Sequence, residues 1–423
     1  MTAHPSPDNP SSSPAGLRLG WGMLALLSAL MGFASISTDL YLPAMPAMQA
    51  ALHASSGTVE LSISGYLIGF SLGQLVWGPI GDRYGRRLPV AIGLVLFILG
   101  SAGCALSPSA QILIACRVLQ AIGACASVVL ARAMVRDIYA GAHAAQMMST
   151  LMTVMAVAPL IGPSLGGLIL QAASWRAIFW VLVVVGLVTL GALYSFPETL
   201  PPVRRSRTPL HQSLGRYAML LKHPGFLGYA GVSGFFYAGV FAYIAGTPFA
   251  YIDYHHVQPQ QYGLLFALGI AGIMVTNQFN ARWVIRLGGM RLIRGGALLA
   301  TVAGLVAAWS ASTDGGGLAG LVVPLFVFVS ANGFIVANSI SGALNNFPQL
   351  AGSASALIGA MQYGSGILGS ALVSWFADGT PRPMGVVIAI CGLGSLLCAH
   401  LVSTHKTAPC LAIPVVEAPG HAA

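Results

Sequence analysis

Two ionisable side chains stand in stretches otherwise too apolar to hold them: Asp39 in the run 20–44 and Arg117 in the run 110–131. A charge inside an apolar helix of membrane length costs on the order of 2.5–3.5 kcal/mol on insertion scales, so such a residue faces a partner or a wet cavity. The chemistry open to this pair is proton exchange. A carboxyl can alternate between protonated and charged forms, and a nearby guanidinium favours the charged one. If the two runs cross a bilayer in opposite senses, a rise of 1.5 Å per residue sets Asp39 ~9 Å and Arg117 ~10 Å from the same face. The pair then shares a depth. The alternative leaves Asp39 at a span end exposed to outer water. Glu60 falls in the first turn of the next run, where a helix-dipole role is sufficient.

Composition says what must position these residues. Charged residues make up 7% of the 423, against about 25% in a soluble domain. Hydrophobic residues reach 56% and the mean hydropathy is +0.79. So few charges cannot cover the surface of soluble domains, and the 52 glycines suit closely packed membrane helices. Twelve apolar runs are long enough for the ~30 Å hydrocarbon core: 20–44, 58–80, 88–106, 110–131, 145–170, 175–195, 225–250, 262–281, 292–312, 319–341, 353–375 and 383–404. They are continuously apolar, without the alternation of a membrane barrel, which favours helices. The fold class is therefore all-α integral membrane.

Basic residues set the orientation. With the N-terminus inside, the inner segments hold Arg18, Arg83, Arg86, Arg87, Arg132, Arg136, Arg204, Arg205, Arg207, Arg216, Lys222, Arg282, Arg286, Arg291, Arg294 and Lys406. The outer segments hold only Arg176 and Arg382. That bias puts both termini in the cytoplasm. The net charge of +9 thus reads as a topology device. No basic run is interleaved with aromatics, which argues against nucleic acid. Residues 1–17 and 405–423 read as unstructured cytoplasmic tails. The Pro- and Arg-rich segment 196–224 reads as a cytoplasmic linker between six-helix bundles at 18–195 and 225–404. The six cysteines form no C-x-x-C and read as small packing residues. His255-His256 reads as a solvated loop pair.

Three motifs carry more information. The loop after the second run reads Gly78-Pro79-Ile80-Gly81-Asp82-Arg83-Tyr84-Gly85-Arg86-Arg87. Its glycines permit a tight turn, and Asp82 can pair with an arginine or cap a neighbouring helix. A weaker echo, Arg286-Leu287-Gly288, lies at the same place in the second half, as two parallel-related halves would give. The fourth run holds Arg117-Val118-Leu119-Gln120-Ala121-Ile122-Gly123. The fifth holds Pro159, Gly162, Pro163, Gly166 and Gly167, a set that would break a soluble helix but is tolerated as a kink among packed membrane helices.

These runs resemble, in order, motifs A, B and C of the major facilitator superfamily, with Ala121 where motif B usually has glycine. Trp175-Arg176-Ala177-Ile178-Phe179 and Pro197-Glu198-Thr199-Leu200 are similar to further signatures of that superfamily. Thr38-Asp39-Leu40-Tyr41-Leu42-Pro43-Ala44-Met45-Pro46 resembles the first span of its Bcr/CflA drug:proton antiporters, with Leu40 where methionine is frequent. The second half agrees at 241–249 and 351–362. The resemblance implies two six-helix bundles of the major facilitator fold and export of small amphiphilic drug-like molecules against inward proton flow. It assigns proton coupling to Asp39 and Arg117. Gating falls to Gly81, Asp82, Arg83, Gly85, Arg86 and Arg87 with Pro159, Gly162, Pro163, Gly166 and Gly167.

Beyond Asp39 and Arg117 the spans offer almost only neutral polar and aromatic groups for a cavity: Gln120, Tyr237, Tyr243, Asn277, Asn332, Asn338 and Gln362. Each could instead bridge helices. Such a lining suits neutral or weakly cationic amphiphiles rather than multiply charged anions. A metabolite exporter for a sugar or amino acid is the near alternative. An enzyme would need a nucleophile–base set or metal ligands, and a channel rings of like charge or a carbonyl filter; neither pattern is present. No Walker A sequence is found, so ATP is not the expected driver. The expected partners are a small-molecule substrate, protons and the lipid bilayer, with no cofactor and no metal, in a monomer.

Overall fold

The computed structural model describes residues 21–404 apart from 140, 206–209 and 348–349. The tails read at 1–17 and 405–423 lie outside the described residues. All regular structure among the described residues is helical, in the order α1 (Trp21–Asp39), α2 (Met45–Ala51), α3 (Ser56–Tyr84), α4 (Arg87–Leu106), α5 (Ala110–Ile138), α6 (Gly141–Ala172), α7 (Trp175–Tyr194), α8 (Leu210–Leu221), α9 (Pro224–Pro248), α10 (Pro259–Leu287), α11 (Gly289–Thr313), α12 (Gly317–Ser330), α13 (Asn332–Asn345), α14 (Ala351–Trp375) and α15 (Arg382–Thr404). Eleven helical stretches are long and apolar enough to cross a membrane. The remaining apolar run falls on α6, with Val157–Ala172 as its apolar part.

Local chemistry explains the breaks. The first span is one path, Trp21–Ala51, bent where α1 stops and a 3-10 turn, Leu42–Ala44, leads into α2. Pro43 and Pro46 have no N–H to return to the carbonyls four residues back, so the helix opens there. The tenth span breaks between α12 and α13 at Ala331. Starts are capped: Ser55 Oγ accepts the Thr58 N–H at 3.2 Å, and Ser109 Oγ that of Ile112 at 3.4 Å. The second and eighth spans end alike, on Gly85 (φ +94°) and Gly288 (φ +81°), left-handed positions where a side chain is strained. The echo in the sequence is thus a repeated backbone turn.

Within the first half α5 packs between α3 and α4, with α4 on α7 and α1 on α6. In the second, α15 bridges α9 and α11 while α14 lies on α9. Two crossings join the halves, α3 on α14 and α6 on α10. Apolar side chains such as Leu72, Val188, Leu305 and Leu397 point outward, as lipid contact demands.

Three differences from the sequence reading matter. Helix α5 continues to Ile138 rather than stopping near 131. Its last two turns are amphipathic, and hydropathy ends a span sooner than hydrogen bonding does. The segment 196–224 contains a helix, α8. And Glu60 is not in a first turn facing solvent: it lies deeper in α3, 3% exposed, beside the crossing with α14.

Candidate functional site

Asp39 is the last residue of α1, at the bend of the first span. The helical path continues to Ala51, so Asp39 lies well inside it rather than near its end. The carboxyl is 5% exposed and its Oδ1 accepts a hydrogen bond from Thr38 Oγ1 at 3.1 Å. Helix α6 closes over this point. A Cβ added to Gly162 would lie 3.1 Å from Asp39 Cβ, and one at Gly166 would overlap the Leu40 carbonyl oxygen. One residue on, Gly167 faces Pro259 and Gln260 at the start of α10. The small face of α6 is therefore wedged between the acid and the second half. Tyr243 and Tyr262 of that half lie within electrostatic reach of Asp39.

Arg117, on α5, is fully enclosed. Its Nη1 donates to the Ser37 carbonyl at 2.8 Å and to Gln120 Oε1 at 2.5 Å. Its guanidinium carbon sits 4.3 Å from the Tyr41 ring centre and 4.4 Å from that of Tyr66, in cation–π range on both sides. Nε and Nη2 have no hydrogen-bond partner. The two predicted residues come together, but not as a salt bridge: among the described residues the ion pairs within 4.0 Å involve only Arg86 and Arg205. Arg117 grips the backbone two residues before Asp39 rather than the carboxyl itself.

Between the halves lies a cavity of about 510 Å³, open at the Arg-rich end. At the opposite end α3 and α14 are closed: Gly57 abuts the Ser374 carbonyl, and Ser64 and Ser370 hydroxyls meet at 2.7 Å. Contact persists to Ser71, whose Oγ donates to the Ala360 carbonyl at 2.9 Å. Beyond Gln74 and Gly359 the cavity begins.

The residues read as cavity lining separate. Gln362, 5% exposed, lines the cavity and its Nε2 has no partner. Tyr237 belongs to an aromatic cluster with Phe241 and Tyr363. Tyr243 is buried and stacks on Phe266 at 5.8 Å. Gln120 is fully enclosed and donates through Nε2 to Ser101 Oγ at 2.7 Å, tying α5 to α4. Asn338 donates to Asn280 Oδ1 at 2.6 Å, tying α13 to α10. Asn277 is exposed on α10, and Asn332 is half-buried at the start of α13. The expectation of an almost neutral lining is corrected. The cavity wall includes Arg86, Arg132, Arg136 and Arg216 against one acid, Asp82. Stopping the fourth span near 131 had set Arg132 and Arg136 in a loop; their four-residue spacing, which shares a helix face, was the available signal.

The motif A loop forms a charge network. Arg86, 6% exposed at its side chain, pairs through Nη1 with Asp82 and through Nε with Asp137, both at 2.7 Å. Asp82 thus takes the pairing option. Capping falls to Glu198, which accepts the backbone N–H groups of Arg86 (2.8 Å), Arg87 (3.1 Å) and Leu200 (3.0 Å). Burial alone would raise the Glu198 carboxyl, but these N–H groups and Arg205 hold it below its ordinary value. Arg87 donates to the Tyr194 carbonyl at 2.9 Å and lies over the Tyr194 ring; Arg83 lies over Tyr84. Gly81 packs on Leu130, and Pro159 and Pro163 lie within α6.

Two helical halves around a cavity closed at one end, with a buried acid beside their junction and a buried arginine behind it, define a membrane carrier. The Major Facilitator Superfamily profile matches residues 25–370, and the chain belongs to that superfamily. It is 38% identical over 385 residues to the uncharacterized MFS-type transporter YdgK of Bacillus subtilis, covering 89% of this chain and 92% of that one. It is 31% identical over 379 residues to the chloramphenicol resistance protein of Pseudomonas aeruginosa, covering 85% and 86%. The superfamily match and relatives named for drug resistance set it on the drug-efflux branch, as a transporter and not an enzyme. Its fold is similar to that of the xylose transporter XylE from E. coli in a partially occluded inward-open conformation, with a TM-score of 0.70 at 15% identity, covering 91% of this chain and 97% of that one.

Proposed function

We propose that this protein is a proton-coupled antiporter that exports small amphiphilic drug-like molecules from the cytoplasm. It lies in the bacterial inner membrane with both termini inside, and the described shape is its inward-open state. The Arg-rich end bordering the cavity supports that orientation. The observation that carries the reading is the seat of Asp39: a carboxyl at a helix break, covered by Gly162 and Gly166 of the helix that also meets the second half. Proton uptake there removes a charge at the joint between the halves, so protonation and substrate can each favour one of two states. Arg117 braces the turn that carries Asp39 without a direct pair. Both halves belong to one chain, and the monomer is the working unit.

The test is Asp39→Asn, close in size but unable to titrate. Everted vesicles should lose pH-driven accumulation of chloramphenicol while keeping normal protein levels. A variant that still builds a gradient, collapsing with a protonophore, refutes Asp39 as the carrier. Proton-coupled export of a sugar or amino acid, with no drug handled, would overturn the substrate class.

A further inference from the structure

The arginines of the cavity are more than a basic rim. Arg132 and Arg136 stand four residues apart on one face of α5, and Arg216 joins them from α8. None forms an ion pair within 4.0 Å among the described residues. The nearby carboxylates, Asp82 and Asp137, are both committed to Arg86. Among the described residues the positive charge is therefore not compensated by an ion pair. Arg132 is half-buried, and its Nε has no partner. It lies within electrostatic reach of Tyr237 and Tyr363, which belong to the other half. A residue kept only for orientation would point to water or lipid headgroups rather than to the space between the halves.

An aromatic cluster between the halves closes the space behind the cavity. Phe70, one turn before Gln74 in α3, contacts Tyr363 with ring centres 4.4 Å apart. Phe241 lies 5.7 Å and Tyr237 6.3 Å from the same ring. Gln362, beside Tyr363, adds the unpartnered Nε2 donor. The chamber thus offers cationic and amide donors beside an apolar lining that includes Val129, Met148, Ile340, Leu350 and Ile358. Its complement is an acceptor-rich head on an apolar body.

We infer that this chamber binds monoanionic amphiphiles, with the carboxylate on Arg132 and the apolar body against the cavity-lining Val129, Met148 and Ile340. The inference rests on the carrier reading above and names its preferred substrate class. Exported anions would meet Arg132 first on the cytoplasmic side.

The test uses the full chain in phosphatidylcholine nanodiscs and two near-isosteric probes, 1-naphthaleneacetate and 1-naphthaleneacetamide. The wild type should bind the anion about tenfold more tightly, a difference of about 1.4 kcal/mol, with the preference shrinking as salt rises. Arg132→Gln should bring the anion to the affinity of the amide, and an unchanged melting temperature reports that the variant is folded. Arg132→Lys should keep part of the preference, and Arg176→Gln, at the opposite end, all of it. Equal affinities in the wild type, or a preference that survives Arg132→Gln, overturns the inference. A preference abolished by adding phosphatidylglycerol would assign the site to a lipid headgroup and overturns it too. Asp39-dependent efflux measured alongside keeps the carrier reading separate: it survives a failed charge preference.

Discussion

The packing of α6 on the acid gives a graded test at Gly166. Replacing it with alanine puts a Cβ onto the Leu40 carbonyl oxygen, 2.8 Å from the Leu40 carbonyl carbon and 3.1 Å from Pro43 Cγ. Ordinary contact begins near 3.4 Å, so α6 must retreat from the bend by at least ~0.6 Å. The obstacle is backbone, which cannot turn aside as a flexible side chain would. Overpacking of this kind costs typically 1–3 kcal/mol, and each 1.4 kcal/mol is about tenfold in an equilibrium. That cost falls on the state in which α6 is seated against Asp39. Gly162→Ala, with its nearest atom 3.1 Å away at Asp39 Cβ, should fall between; Gly78→Ala, with nothing within 4 Å, should be silent. The assay is pH-driven chloramphenicol accumulation in everted vesicles, normalised to protein level, with thermal stability measured in parallel. Efflux should fall about tenfold or more in Gly166→Ala, moderately in Gly162→Ala and not in Gly78→Ala. Wild-type efflux and stability in Gly166→Ala would refute the reasoning.

Arg117→Lys keeps the charge but cannot hold the Ser37 carbonyl and Gln120 from one planar group between two rings; transport should fall severely at normal protein level, and a normal pH profile in Arg117→Ala would remove it from coupling. In the motif A network, Asp137 (14% exposed) and Asp82 (56% exposed) both bond Arg86, so Asp137→Asn should lower stability by about 3 kcal/mol and Asp82→Asn by about 1 kcal/mol or less; equal melting shifts would contradict this. Glu198 carries a lowered carboxyl pKa, so its contribution is complete above the ordinary value of 4.5 and disappears as pH falls through the lowered one. Glu198→Gln should therefore reduce the melting temperature at neutral pH and flatten its decline in acid, and an unchanged acid limb would count against the capping role.

The number and kind of helices, the polarity of their ends and the suspicion resting on Asp39 and Arg117 were all legible in the chain, because each follows from local composition. A bilayer needs about 20 apolar residues per helix, and an isolated charge within them is conspicuous. The glycine turns ending α3 and α10 were equally visible as an echo, since a left-handed position selects glycine wherever it recurs. What the sequence could not settle is which face each residue presents. Gln120 and Asn338 look like cavity residues by type, yet each bridges two helices. Arg132 looks like a topology signal, yet borders the space between the halves. Asp39 and Arg117 share a depth by count, yet the arginine holds a backbone carbonyl between two tyrosines. Type and spacing fix a residue's height along its own helix; its partners depend on the rotation and tilt of that helix against neighbours remote in sequence, and packing alone decides those.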